Sequence, residues 1–168
     1  MKPFFFILIL FWVSACASSD AIVSEFPRAG CKKMASQTVA RIDWSQVPRI
    51  TTVIRAGDYA PMVMRIKQGR PYILKIRNRD EKARYFRAQD FFRRNAVINI
   101  TVDSKIAKKT CVHSINIPAR RTAEIQFVAI EDGHYEFEDN FSIIPLILSA
   151  GPSGVIIIEE RYNAISDR

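Results

Sequence analysis

Soft donor side chains are scarce in this 168-residue chain: two histidines, three cysteines and four methionines. Sulfur and imidazole suit Cu(I), so their spacing decides whether a copper site could form. In a strand, residues two apart share a face. Met62 and Met64 therefore fall on one face, as do Cys111 and His113, and the four together are a candidate copper set. The competing reading is packing. Met64 and Met62 point inward, His113 alternates with strand apolars, and His134, between Gly133 and Tyr135, falls on the outward side. Two histidines are also few for a metal-handling protein. Catalytic constellations are absent from the pattern. No His stands beside a Ser or Cys in a nucleophile motif, and six glycines supply no phosphate loop. The adjacent carboxylates Glu138 and Asp139 are of a kind any β-turn surface offers. The sequence predicts a non-enzyme.

The third cysteine belongs to the N-terminus. One cation, Lys2, precedes the apolar run Phe4 to Val13, and small residues follow from Ser14 to Ser19. A charged start, a short apolar stretch and a small-residue exit predict a signal peptide over 1–15. The run is short of the roughly 20 apolar residues that span a bilayer. Val13-Ser14-Ala15-Cys16 resembles the bacterial lipobox. That resemblance implies a diacylglycerol on Cys16 and a protein anchored by its acyl chains. Ala17 after it suggests the periplasmic side of the outer membrane. Ala15-Cys16-Ala17 also fits a small-x-small cleavage site, which would release a soluble periplasmic protein. Residues 16–46 have little periodicity and read as a lipidated start and tether, leaving 47–168 as one domain. Cys31 and Cys111 remain, and an even count in an oxidising compartment predicts one disulfide. Two free thiols or a metal site are the alternatives.

The elements that would position these residues are strands. Ile50–Ile54 is β-branched, and Met62–Lys67 and Tyr72–Arg77 alternate on either side of the turn Gln68-Gly69-Arg70-Pro71. Val97–Val102, Val112–Ile117, Ala123–Val128, Tyr135–Glu138 and Gly154–Glu159 complete the set. Ala88–Arg94 has room for one helical turn. About seven or eight short strands separated by turn signals predict an all-β sandwich or small barrel.

Met64-x-Ile66-x-x-Gly69, Tyr72-x-Leu74-x-Ile76, Asn78-x-Asp80 and Phe86-x-Ala88-x-x-Phe91-Phe92 occur in that order. Ile117-Pro118-Ala119, Glu124-x-x-Phe127, Gly133-x-Tyr135-x-Phe137 and Gly154-x-Ile156-x-Ile158 follow. Over roughly residues 50–160 this succession resembles the bacterial cupredoxin-like domains. The resemblance implies a Greek-key β-sandwich and, in its metal-binding members, a type 1 copper held by His, Cys, His and an axial Met. Carried over, the first His position holds Arg84 and the Cys position Asp139. The second His and the Met fall nearest Ser149 and Pro152. A guanidinium is permanently cationic, a carboxylate is a hard ligand, and proline has no side-chain donor. The resemblance therefore implies a copper-free domain, with no cofactor, in which an Arg84–Asp139 pair bridges the vacated site.

The net charge is +8 and the pI near 9.7. Such a balance raises nucleic acid as a partner, but an exported protein rarely meets any. Eleven cations lie between Arg65 and Arg94 against Asp80, Glu81 and Asp90. Residues 131–139 reverse the sign. The basic stretch is either a solvated strand face or a surface for docking anionic lipid or an acidic partner. The combined expectation is a non-catalytic envelope lipoprotein serving as a binding or assembly module. The alternative is a periplasmic copper-binding protein using Met62, Met64, Cys111 and His113.

Overall fold

The structure, a computed structural model, describes residues 22–25, 30–107, 110–139 and 153–161. Alternation decides the architecture. In Val63–Lys67 every second side chain is buried, and Thr122–Val128 and Gly133–Glu138 bury alternate residues in the same way. Each strand thus has one face to hide, and two sheets hide their faces against each other.

One sheet contains β1 (Val23–Glu25), β4 (Val63–Lys67), β6 (Arg84–Arg87), β9 (Val112–Ile117), β11 (Gly133–Glu138) and β12 (Ser153–Glu159), ordered β1-β9-β6-β11-β12-β4. The other contains β2 (Arg49–Arg55), β3 (Asp58–Ala60), β5 (Pro71–Asn78), β7 (Ala96–Val102), β8 (Lys105–Ile106) and β10 (Thr122–Val128), ordered β3-β2-β5-β10-β7-β8. Most pairs are antiparallel; β2 with β5 and β4 with β12 are parallel. The sandwich matches the expected architecture, with twelve strands among the described residues rather than seven or eight. The additional four, β1, β3, β6 and β8, have two to four residues each. They are too short to carry a period of their own.

Phe86, Phe91, Phe92, Phe127 and Phe137 are fully buried between the sheets. Phe91 and Phe92 come from the short helix α2 (Gln89–Arg94), where one turn was expected. Phe91 meets Phe127 edge-on at 4.9 Å, and Tyr59 meets Phe137 at 4.8 Å. Edge-to-face contacts of this kind add about 0.5–1.5 kcal/mol beyond area burial.

The described part of the stretch expected as a tether, 22–25 and 30–46, is built into the domain. Val23–Glu25 is an edge strand on β9. Cys31 is bonded to Cys111 across 80 residues of sequence, so the predicted disulfide is present. The Lys32 N–H donates to the Arg93 carbonyl at 3.0 Å. A five-residue helix, α1 (Ser36–Ala40), follows. Little periodicity reveals none of this, because three residues of strand and a covalent bond hold the segment rather than an apolar face. Cys16 and the expected leader lie outside the described residues. Among the described residues no helix is long and apolar enough to cross a membrane.

Within each sheet the strands lie side by side, up or down, so the sandwich has two poles. At one of them β2, β5, β7, β9 and β11 end and β1, β6, β10 and β12 begin. The chain crosses from sheet to sheet there through the 79–83 and 118–121 connections. Asn78 locks these together, its amide donating to the carbonyls of Lys82 at 2.9 Å and Ile117 and Pro118 at 3.0 Å.

Candidate functional site

At this pole stands Arg84, the first residue of β6. Its guanidinium lies between two carboxylates. Nη1 donates to Asp139 Oδ2 at 2.8 Å, Nε to Asp80 Oδ2 at 2.8 Å, and Nη2 to the same oxygen at 2.5 Å. Arg84 reaches Asp139 because β6 and β11 are neighbours in the sheet, and Asp80 because the 79–83 connection folds back over β6. The three side chains keep only 13%, 11% and 7% of their surface for Arg84, Asp80 and Asp139.

Backbone donors complete the arrangement. Asp139 Oδ1 accepts the Tyr85 N–H at 2.8 Å. Asp80 accepts the N–H groups of Ala56 at 2.6 Å and Gly57 at 3.0 Å. Those two residues turn the β2–β3 hairpin with positive φ, 53° and 90°. Residues of this conformation present successive N–H groups to one side, an anion-binding nest that here holds Asp80. A Cβ on Gly57 would stand 3.3 Å from Arg84 Nη2, so a side chain there would press on the guanidinium as well as strain the turn.

The electrostatics follow from these contacts. Burial alone would raise the Asp80 carboxyl. The Arg84 hydrogen bonds and the Ala56 and Gly57 N–H groups outweigh it and hold Asp80 below its ordinary range. Burial works against the Arg84 charge, but Asp139 and Asp80 more than offset it and the guanidinium is held more firmly protonated. Beneath them the Tyr59 hydroxyl donates to the Tyr85 carbonyl at 3.0 Å. Burial, then the negative Asp139, keep that phenol un-ionised.

The Arg84–Asp139 contact thus forms as expected, while Asp80 is a partner that expectation missed. Asn78-x-Asp80 and the four-residue spacing from Asp80 to Arg84 were visible, but nothing local says that the loop folds back. The remaining copper-ligand positions of the resemblance, Ser149 and Pro152, lie outside the described residues.

The alternative set does not assemble. Cys111 is oxidised to Cys31 and offers no thiolate. Met62 and Met64 do not share a face, since Met62 precedes β4 and is 54% exposed while Met64 is 3% exposed in the core. His113 lies on β9, four strands from β4, which is about 19 Å. Burial, then the Arg87 charge, lower the His113 imidazole below its ordinary value. His134 is exposed on β11, facing outward as expected. Among the described residues no three His, Cys, Asp or Glu side chains stand where they could hold a metal ion.

The family description of the cupredoxin-like domain matches residues 3–158. The chain belongs to the cupredoxin-like domain family. Relatives of that fold bind copper, and the two described residues at the ligand positions of the resemblance, Arg84 and Asp139, do not fit it. Arg84 has no lone pair to offer, and both Asp139 oxygens are committed to hydrogen bonds. Among solved structures the fold is similar to a multi-copper oxidase from Pseudomonas thermotolerans, with 13% identity and a TM-score of 0.53. The match covers 70% of this chain and 31% of that one, so this cupredoxin-like chain spans about a third of the oxidase. A copper nitrite reductase from Nitrosomonas europaea matches at 9% identity and a TM-score of 0.49, over 74% of this chain and 52% of that one. An amicyanin variant with Cu(I) matches at 12% identity and 0.41, over 68% and 88%. Identities this low speak for the fold alone. No curated protein matches the chain by sequence.

Proposed function

We propose that this protein is a non-catalytic cupredoxin-like lipoprotein of the bacterial envelope, serving as a binding or assembly module, in which an ion-pair network stands where relatives hold type 1 copper. One observation carries the reading: the Arg84 guanidinium lies between Asp80 and Asp139, with all three mostly buried. A charge held in this way joins the 79–83 loop, β6 and the end of β11, the parts a metal would otherwise join. The protein then keeps the rigid pole of a cupredoxin and gives up its redox chemistry. Export is supported by the leader-like N-terminus and by a disulfide, which persists in an oxidising compartment. Anchoring rests on Val13-Ser14-Ala15-Cys16.

Titration of the purified protein with Cu(II) tests the loss of the copper site. The expected result is no intense thiolate-to-copper absorption and no stoichiometric binding. Stoichiometric copper at sub-micromolar affinity, abolished by substituting Met62, Met64 or His113, would overturn it. Labelling cells with a fatty-acid probe tests the anchor. Wild type takes the label and Cys16→Ser does not; label persisting on the variant, or absent from wild type, sinks the lipoprotein assignment.

A further inference from the structure

The structure places the N-terminal entry of the chain and a concentration of positive charge at the same end of the molecule. Ile22 sits beside Asn116, whose N–H donates to its carbonyl at 2.9 Å, so the chain enters the sandwich at the pole that carries Arg84. Cys16 is only six residues earlier. Fully extended, that segment reaches about 20 Å. The far pole lies a further seven-residue strand away, about 23 Å. An anchor on Cys16 therefore keeps the near pole against the membrane, where a tether running to residue 46 would have let the domain roam.

The near pole is basic, and its charge comes from four separate connections. Arg55 ends β2, Arg77 is next to last in β5, Arg79 and Lys82 lie in the 79–83 loop, and Lys105 starts β8. All five are exposed, and among the described residues none forms an ion pair. Arg120 and Arg121, in the 118–121 loop, pair with Glu81 and Asp103 at the rim. Asp58 is the one other exposed carboxylate of these turns. Free cations spread over several loops suit a plane of anionic headgroups. Such charges act within a Debye length, about 8 Å at physiological salt, a gap the short anchor keeps small.

We propose that this pole is a membrane-docking surface for anionic phospholipid headgroups, read chiefly by Arg55, Arg77, Arg79, Lys82 and Lys105. The proposal rests on the reading of Cys16 as the anchor. Docking would hold the domain in one orientation, leaving the opposite pole, with Arg49 and the disulfide, facing away from the membrane.

The test uses the mature chain, residues 16–168, carrying Cys16→Ser, so that neither an acyl chain nor the apolar leader contributes. Flotation with vesicles of pure phosphatidylcholine is compared with vesicles one-third phosphatidylglycerol. The expected result is a preference for the anionic vesicles that weakens with salt. Each cation near such a surface is worth about five-fold in binding. A variant with Arg55→Gln, Arg77→Gln, Arg79→Gln and Lys82→Gln should therefore lose the preference by about 100-fold or more. A control of equal charge, with Lys33→Gln, Arg49→Gln, Arg70→Gln and Arg94→Gln at the other pole, should keep most of it. The substituted side chains are exposed and form no ion pair among the described residues, so thermal melting of both variants should stay close to that of the parent. Equal losses in the two variants, or no preference in the parent, overturn the proposal. So does retention on immobilised polyglutamate without anionic-vesicle preference, which would assign the pole to an acidic protein instead. Fatty-acid labelling of wild type reports separately on the anchor, so failure of that reading is distinguishable from failure of this one.

Discussion

Arg84 carries one positive charge between two carboxylates, and the three groups share little solvent. Surface pairs of this type contribute about 0–1 kcal/mol. Breaking a buried pair by removing one partner costs about 3–5 kcal/mol, because the remaining charge is stranded. Here Asp80 would keep two backbone donors and Asp139 one, so Arg84→Ala should fall near the low end, about 3 kcal/mol, in urea denaturation. Arg84→Leu combined with Asp80→Asn and Asp139→Asn should recover part of the loss, since no unpaired charge remains. A loss under about 1 kcal/mol for Arg84→Ala would mean that the cluster is solvated. The acid response has a definite sign. Asp80 is held below its ordinary value of 3.8, so the stability it contributes is present above that value and is lost as pH falls through the lower folded value. Wild type should therefore lose stability on acidification below about pH 4. Asp80→Asn should be less stable at neutral pH and show a shallower acid slope. An unchanged slope would show that Asp80 does not gain by ionising in the fold. Arg84 and Asp139 were legible in the sequence as departures from a family pattern. Asp80 was not, because its role depends on where a loop folds rather than on which residues neighbour it.

Strand β12 shows why one element tolerates no side chain where it begins to pair. A Cβ on Gly154 would lie 2.2 Å from Phe137 Cζ and 2.4 Å from the Met62 carbonyl oxygen. Phe137 is fully buried and cannot withdraw, and the carbonyl accepts the Val155 N–H at 2.7 Å. Gly154→Ala should therefore destabilise by at least about 1–3 kcal/mol, the usual cost of overpacking, and loosen β4 from β12. Amide exchange at Val155, faster in the variant than in wild type, would report the loosening. Unaltered exchange and stability would show that the backbone can shift to make room. The eight longer strands could be read because each has at least two inward and two outward residues. In β6 the sequence Arg-Tyr-Phe-Arg buries Phe86 alone, and in β3 only Tyr59 is buried. A single apolar residue has no period, so partners on other strands make these segments into strands.

Across the whole molecule the disulfide joins the N-terminal segment to the start of β9. A bridge closing so long a loop restricts the unfolded chain and is expected to stabilise by about 2–4 kcal/mol. Replacing both cysteines by serine should lower the urea midpoint accordingly and open residues 30–46 to protease before the sandwich unfolds. Two free thiols in protein isolated from the periplasm without reductant would remove the basis for both expectations. What the sequence by itself determined is the kind of molecule: alternating strands that demand two packed sheets, an even pair of cysteines able to join, and a cation and a carboxylate at two positions where a cupredoxin would have metal donors. These are properties of single segments or of counts, so they need no knowledge of the fold. Tertiary structure decided which residues meet. It gave Arg84 a second carboxylate, set Met62 and His113 about 19 Å apart, and drew cations from separate connections to the pole where the chain enters. Register between strands distant in sequence fixes those encounters, and register is set by the packing of the whole sandwich, which no single segment contains.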